Sequence, residues 1–271
     1  MKVFISADIE GVTTSTLWTD IDPSHPGYQA HAKQMTEEVL ACIQGAKNAG
    51  ATEIFVKDAH GRYGANIDPS RMPSGVTLLR GWTGHPYVMV EGIDKTFDAA
   101  LFVGYHSAAG RPGNPLSHTI SGGLVYMKIN GIVASEFMIY SYACALEGVP
   151  SVFLSGDKML CDDSVSLHPC LVPCPVKEGI GSLTKNYSPE DTLVRIRELT
   201  EKALKQDLSH ALVKLPAYYE VELCFKEHAR AENVSWFPGV AKKDDNNVLF
   251  QAADYFEVLR TLKWVVAAGI I

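Results

Sequence analysis

Short apolar runs alternate with helix-length amphipathic segments along the first 157 residues, and this alternation limits the fold more than any other feature of the chain. KVFISA (2–7), EIFVKD (53–58), AALFVGYH (99–106) and SVFLSGD (151–157) read as strands. Between them, residues 27–50 carry helical spacing up to a glycine stop, and residues 135–149 form a second helix with Ser135 as its N-cap. LVYMKINGIVAS (124–135) reads as a hairpin, because Asn130-Gly131 suits a type I′ turn. Strand–helix–strand repetition of this kind predicts an α/β fold: a mostly parallel sheet with helices on both faces.

Beyond residue 157 the pattern loosens. Ser188, Pro189 and Glu190 start a helix that runs to about 206, residues 218–225 alternate like a strand, and residues 249–269 read as strand then helix. This predicts an α/β core over 1–180 and a smaller C-terminal α+β part over 181–271 packed on it. A chain of 271 residues with 46% apolar residues can bury a sizeable core.

The charge balance, 24 basic against 31 acidic residues, argues against a nucleic-acid binder held by a basic face. No run of about 18 apolar residues predicts a membrane span. MKVFISADIE lacks the features of an export signal, and six cysteines without dense spacing read as reduced thiols; both point to the cytoplasm.

In open parallel sheets, ligands gather at the carboxyl ends of strands. There the chain places Asp8 and Glu10, then Asp58 and His60, then His106; His118 follows in PLSHTI, and Glu136 opens the helix after the hairpin. Residues 8 and 10 of an extended segment point to the same side. Two adjacent carboxylates repel unless a cation lies between them or one is protonated. Imidazole and carboxylate donors without thiolate suit catalytic zinc, and manganese or cobalt as well. Asp8, Glu10, His60, His106 and Glu136 exceed the three protein ligands usual for one catalytic zinc, and a carboxylate bridging two metals would use five.

Other features carry less. Asp58 reads either as a residue orienting the His60 imidazole or as a strand-end cap, and Lys177 either as a residue at the substrate end or as a surface lysine. CDDSVSLHPCLVPC (161–174) matches no usual zinc spacing and reads as a loop with incidental thiols. No glycine pattern of a nucleotide site follows a strand.

SADIEG, VKDAHG, GYHS, LSHTI and ASEF, in this order, together resemble the DppA family of D-aminopeptidases, zinc metallopeptidases. MTEEVLACI, MVEGID, VPSVFLSGD, PVKEGIG, SWFPGV and VLFQAAD extend the resemblance over nearly the whole chain; it weakens at 13–26 and 158–172. It implies a Rossmann-like domain with a smaller C-terminal part, and two zinc ions per subunit bridged by Asp8. Glu10 and His106 would complete one zinc site, His60 and Glu136 the other, with His118 as the catalytic residue. It further implies a homo-oligomer, a decameric ring in the family's founding member, acting on short peptides with N-terminal D-residues such as D-Ala-D-Ala. The same metal site would also serve other amides, L-peptides or phosphoesters, and a non-catalytic, metal-stabilised oligomeric binding protein is the alternative of another class. The presence of His118 speaks against that last reading.

Overall fold

The computed structural model describes residues 1–168 and 170–268; Pro169 in the cysteine-bearing segment and Gly269 at the end of the last expected helix lie outside them. In chain order the elements are β1 (Lys2–Ala7), α1 (Tyr28–Asn48), β2 (Glu53–Asp58), β3 (Val76–Leu79), β4 (Ala99–Tyr105), β5 (Leu124–Ile129) and β6 (Ile132–Val133). There follow α2 (Glu136–Leu146), β7 (Ser151–Asp157), α3 (Lys158–Val165), β8 (Val172–Ile180), β9 (Leu183–Asn186) and α4 (Pro189–Lys205). The chain closes with β10 (Tyr219–Phe225), α5 (His228–Val234), β11 (Val240–Lys242), β12 (Asn247–Ala252) and α6 (Tyr255–Ala268).

Seven strands form a mostly parallel sheet in the order β3-β2-β1-β4-β7-β8-β9, in which only β9 runs antiparallel to its neighbour. β1 lies between β2 and β4, with Ala7 level with Asp58 on one side and with Val103 on the other. The alternation within β1 divides its side chains between two cores. Val3, Ile5 and Ala7 pack with Met35, Val39 and Ile43 of α1 and with Ile196 and Leu204 of α4. Phe4 packs with Phe137 of α2 in the second core, which continues into the inner face of a smaller antiparallel sheet at Leu223 and Phe250. That sheet has the order β11-β12-β10-β5-β6.

Sheet membership does not follow the expected division at residue 180. β9 and α4 belong with the parallel sheet, whereas β5 and β6 pair into the antiparallel one, so the chain crosses between the sheets more than once. A hairpin whose outer neighbour is β10 reads locally like any hairpin, and its partner strand is invisible in the sequence. The expected turn forms with positive φ at both Asn130 (50°) and Gly131 (80°). Ser135 caps α2 by accepting a hydrogen bond from the Met138 amide (3.1 Å). Residues 161–174 are not a single loop: Asp157 caps α3, which holds Cys161, and β8 holds Cys174. No described helix is long and apolar enough to cross a membrane.

Candidate metal centre

β1 delivers Asp8 and Glu10 between the ends of its two neighbours, so His60 after β2 and His106 after β4 approach from opposite flanks. Glu136 arrives from the first turn of α2, and its Oε1 accepts from the Ile120 amide (2.6 Å). Gly11 makes this close exit from β1 workable. Its amide donates to Gly104 O (2.8 Å), and a Cβ there would lie 1.7 Å from Tyr105 O. The close approach that Gly11 permits is therefore to the backbone of β4.

His60 Nδ1 is 2.9 Å from Glu10 Oε2 and 3.3 Å from Asp8 Oδ1. His106 Nε2 is 3.4 Å from Glu136 Oε2 and 3.5 Å from Asp8 Oδ2. His118 Nε2 is 3.5 Å from Glu136 Oε1 and 3.9 Å from Glu10 Oε1, and its ring stacks on His106 at 4.3 Å between centroids. Each imidazole turns its other nitrogen to a backbone carbonyl. These contacts are His60 Nε2 to Ile21 O (3.3 Å), His106 Nδ1 to Ser107 O (3.0 Å) and His118 Nδ1 to Leu116 O (2.9 Å). A carbonyl only accepts, so those nitrogens carry the hydrogen and the nitrogens facing the carboxylates are free to bind a cation.

The three carboxylates are almost wholly removed from water, at 2% (Asp8), 3% (Glu10) and 4% (Glu136) exposure, so their charges need a counter-charge inside the protein. Burial and the neighbouring Glu10 charge hold the Asp8 carboxyl well above its ordinary pKa. At Glu10 burial pushes the same way, but the imidazoles of His60, His106 and His118 outweigh it and hold the group well below its ordinary value. His106 shows the converse: burial works against its charged form, yet Glu136, Glu10 and Asp8 push its pKa up to about 10. Asp8 Oδ2 and His106 Nε2 find no hydrogen-bond partner among the described residues, and Glu10 Oε2 has only His60 Nδ1 beside it. Orphaned donors of this type, buried and convergent, fit a divalent cation; separations of 2.9–3.5 Å suit atoms sharing a coordination sphere of roughly 2.0–2.2 Å radius.

Ligand atoms within 4.8 Å of one another form three groups: Asp8–Glu10–His60, Asp8–His106–Glu136 and Glu10–His106–His118. Asp8 is common to the first two. The pairing of His60 with Glu136 implied by the resemblance is not among these three groups.

Two expected residues have other places. Among the described residues, Asp58 makes its hydrogen bonds to Asn66 and Ile67 and none to the His60 ring. It is fully buried and accepts from the Asn66 amide (2.5 Å), Asn66 Nδ2 (2.7 Å) and the Ile67 amide (2.7 Å), while Asn66 Nδ2 also donates to His60 O (2.8 Å). It therefore braces the loop that carries His60. Lys177 is neither at the substrate end nor on the surface: it is fully buried beneath the site and donates to Glu10 O and Ser15 O. The β8 register beside Asp157 decides this, which the local sequence does not reveal.

Sequence reasoning missed Asp157 and Asn114. Asp157 accepts from the Ser107 amide (2.6 Å) and Ser107 Oγ (2.5 Å), next to His106; Asn114 Nδ2 donates to Glu10 O (3.0 Å). Asp157 ends a parallel strand as Asp8 does, so the rule of strand ends points to it too. The cleft of about 550 Å³ over the carboxylates is also lined by Trp18, Trp82, Val88, Met89, Ile120 and Tyr140. Trp18 lies in the loop where the resemblance fades, and its ring is 5.6 Å from that of His118.

A family model described as D-aminopeptidase matches residues 1–264. A D-aminopeptidase of Bacillus subtilis (strain 168) is 30% identical over 264 residues, covering 97% of this chain and 95% of that protein. A solved structure described as the Zn-dependent D-aminopeptidase DppA from Bacillus subtilis, a self-compartmentalizing protease, superposes with a TM-score of 0.93 at 29% identity. The match covers 100% of this chain and 98% of the other. With its fold, its cluster of carboxylates and imidazoles and a family match over nearly its full length, the chain belongs to the D-aminopeptidase family, hydrolases that act on peptide bonds.

Proposed function

We propose that the chain is a dinuclear zinc aminopeptidase that removes N-terminal D-residues from short peptides, D-Ala-D-Ala among them. The observation that carries this reading is that Asp8 belongs to two donor groups, Asp8–Glu10–His60 and Asp8–His106–Glu136. The description of the Bacillus subtilis protein as Zn-dependent supports the choice of metal. Zinc held by Asp8, Glu10, His60, His106 and Glu136 would bring the pKa of a water toward about 7 and polarise the amide carbonyl.

The chain's own residues supply the rest. His118, partly exposed at the cleft, keeps its Nδ1–H on Leu116 O, so its Nε2 can accept a proton from the attacking water and return it to the leaving amine. Asn114 and Lys177 hold the Glu10 carbonyl, and Asp157 holds Ser107 behind His106. We further propose a cytoplasmic homo-oligomer, up to the decameric ring. The exposed Trp236 and Trp264 (80% and 55%) and the description of the Bacillus subtilis relative as self-compartmentalizing support assembly.

The test is amino-acid release from D-Ala-D-Ala and L-Ala-L-Ala by zinc-loaded protein, beside a chelated control and His118→Ala, with metal counted per chain. Chelator-sensitive release from the D-peptide, two zinc ions per chain and a loss of about 10²–10⁴-fold in the variant are expected. Release from the L-peptide alone, or one zinc per chain, overturns the corresponding part. Sedimentation velocity decides the assembly, a lone subunit being the contrary result.

A further inference from the structure

The polar half of the cleft accounts for bond cleavage, but its apolar lining has no role in that chemistry. Trp18, Trp82, Val88, Met89, Ile120 and Tyr140 enclose about 550 Å³ together with the carboxylates and imidazoles. That volume lies in the range of roughly 300–1,000 Å³ typical of pockets for drug-sized ligands.

Two features show that this lining is built rather than incidental. The first is strain. Val88 (φ 38°) and Ile120 (φ 61°) are β-branched residues in the left-handed region, and both line the cleft. Glycine adopts that backbone freely, whereas β-branched side chains resist it, at a cost of about 1–3 kcal/mol each. The backbone at Ile120 serves the site by donating to Glu136 Oε1, but that contact needs no side chain. The second is rigidity. Trp82 donates from Nε1 to Gly61 O (3.1 Å), and the Lys57 ammonium sits 4.0 Å from its ring centroid, so the indole is held before any ligand arrives.

We infer that the cleft selects peptides carrying a bulky apolar side chain, branched aliphatic or aromatic, on a residue flanking the scissile amide. This rests on the aminopeptidase reading and narrows its substrate class. A methyl group leaves the aromatic and branched lining without contact, and each added methylene in such a pocket raises selectivity by about 10- to 200-fold.

The experiment compares kcat/KM for D-Leu-D-Ala, D-Ala-D-Leu and D-Ala-D-Ala, with the three L-counterparts alongside. Calorimetry then measures binding of D-leucine and D-alanine hydroxamates to zinc-loaded protein. One leucine peptide should exceed the alanine peptide by about tenfold or more, and where that peptide is D-Leu-D-Ala the leucine hydroxamate should bind tighter by a similar factor. Cleavage of D-Ala-D-Ala equal to or better than that of both leucine peptides overturns the inference, as does equal binding of the two hydroxamates where D-Leu-D-Ala is the better peptide. If only L-peptides are cut, the D-specific reading fails while the size preference is read from the L-series. Val88→Gly should lower the leucine-to-alanine ratio about tenfold with melting temperature kept or raised; an unchanged ratio with a lowered melting temperature assigns Val88 a purely structural role and counts against the inference.

Discussion

The Nζ of Lys177, a fully buried side chain on β8, lies 2.5 Å from the backbone oxygen of Glu10, a carboxylate of the metal centre. The same ammonium holds Ser15 O at 2.5 Å, so one cation pins both ends of the segment leaving β1. Lys177→Met removes two charge-assisted hydrogen bonds and leaves Ser15 O unpaired. Unfolding by denaturant should show a loss on the order of 3 kcal/mol. A loss below about 0.5 kcal/mol would show that the segment is held by other contacts.

Asp58 and Asp157 both end parallel strands, yet they act on different things. Asp58 accepts from Asn66 and Ile67 and shapes a loop, whereas Asp157 grips Ser107, whose carbonyl fixes the His106 tautomer. Asp157→Asn should therefore weaken zinc binding by about 10- to 100-fold, and Asp58→Asn by less, with its main effect on stability. Competition with a chelator of known affinity measures both, and the reverse order would refute this division of roles.

Glu38 offers a pH test away from the metal donors. It accepts from the Thr13 amide (2.9 Å) and Gln34 Nε2 (3.2 Å), while its other oxygen has no partner among the described residues. Burial raises its pKa from 4.5 to about 6 in the folded chain. Between those values the folded state binds more protons than the unfolded state, so this group's contribution falls as pH rises through that window and stays low above it. A shift of that size corresponds to about 2 kcal/mol. The stability of Glu38→Gln relative to the wild type, both metal-free, should rise by about that amount from pH 4 to pH 7. A difference independent of pH would contradict it.

Metal uptake should release protons. The carboxylates raise the pKa of His60 well above its ordinary value and that of His106 to about 10, and a metal needs both imidazoles neutral. Calorimetry in buffers of different ionisation enthalpy should find protons released on zinc binding at pH 7, and zinc affinity rising with pH. Zinc at 100 times its Kd should add about 2.7 kcal/mol of stability, which a chelator removes. Uptake with no proton release would show that the cluster is not protonated as described.

Local signals in the sequence determined most elements and the chemical types at the site. Alternation in KVFISA, the cap at Ser135 and the turn at Asn130-Gly131 depend on neighbours in the chain, so they could be read directly. So could the carboxylates and imidazoles, because strand ends follow from strands. Only the tertiary structure decided how they are grouped. The order β2-β1-β4 sets His60 and His106 on opposite flanks of Asp8, and the joining of β5 to β10 crosses the expected boundary at 180. It also buried Lys177 beneath Glu10 and brought Trp18, Trp82 and Ile120 to one cleft. Those relationships come from strand pairing and packing between residues far apart in the chain, and such contacts leave no periodicity for a single sequence to display.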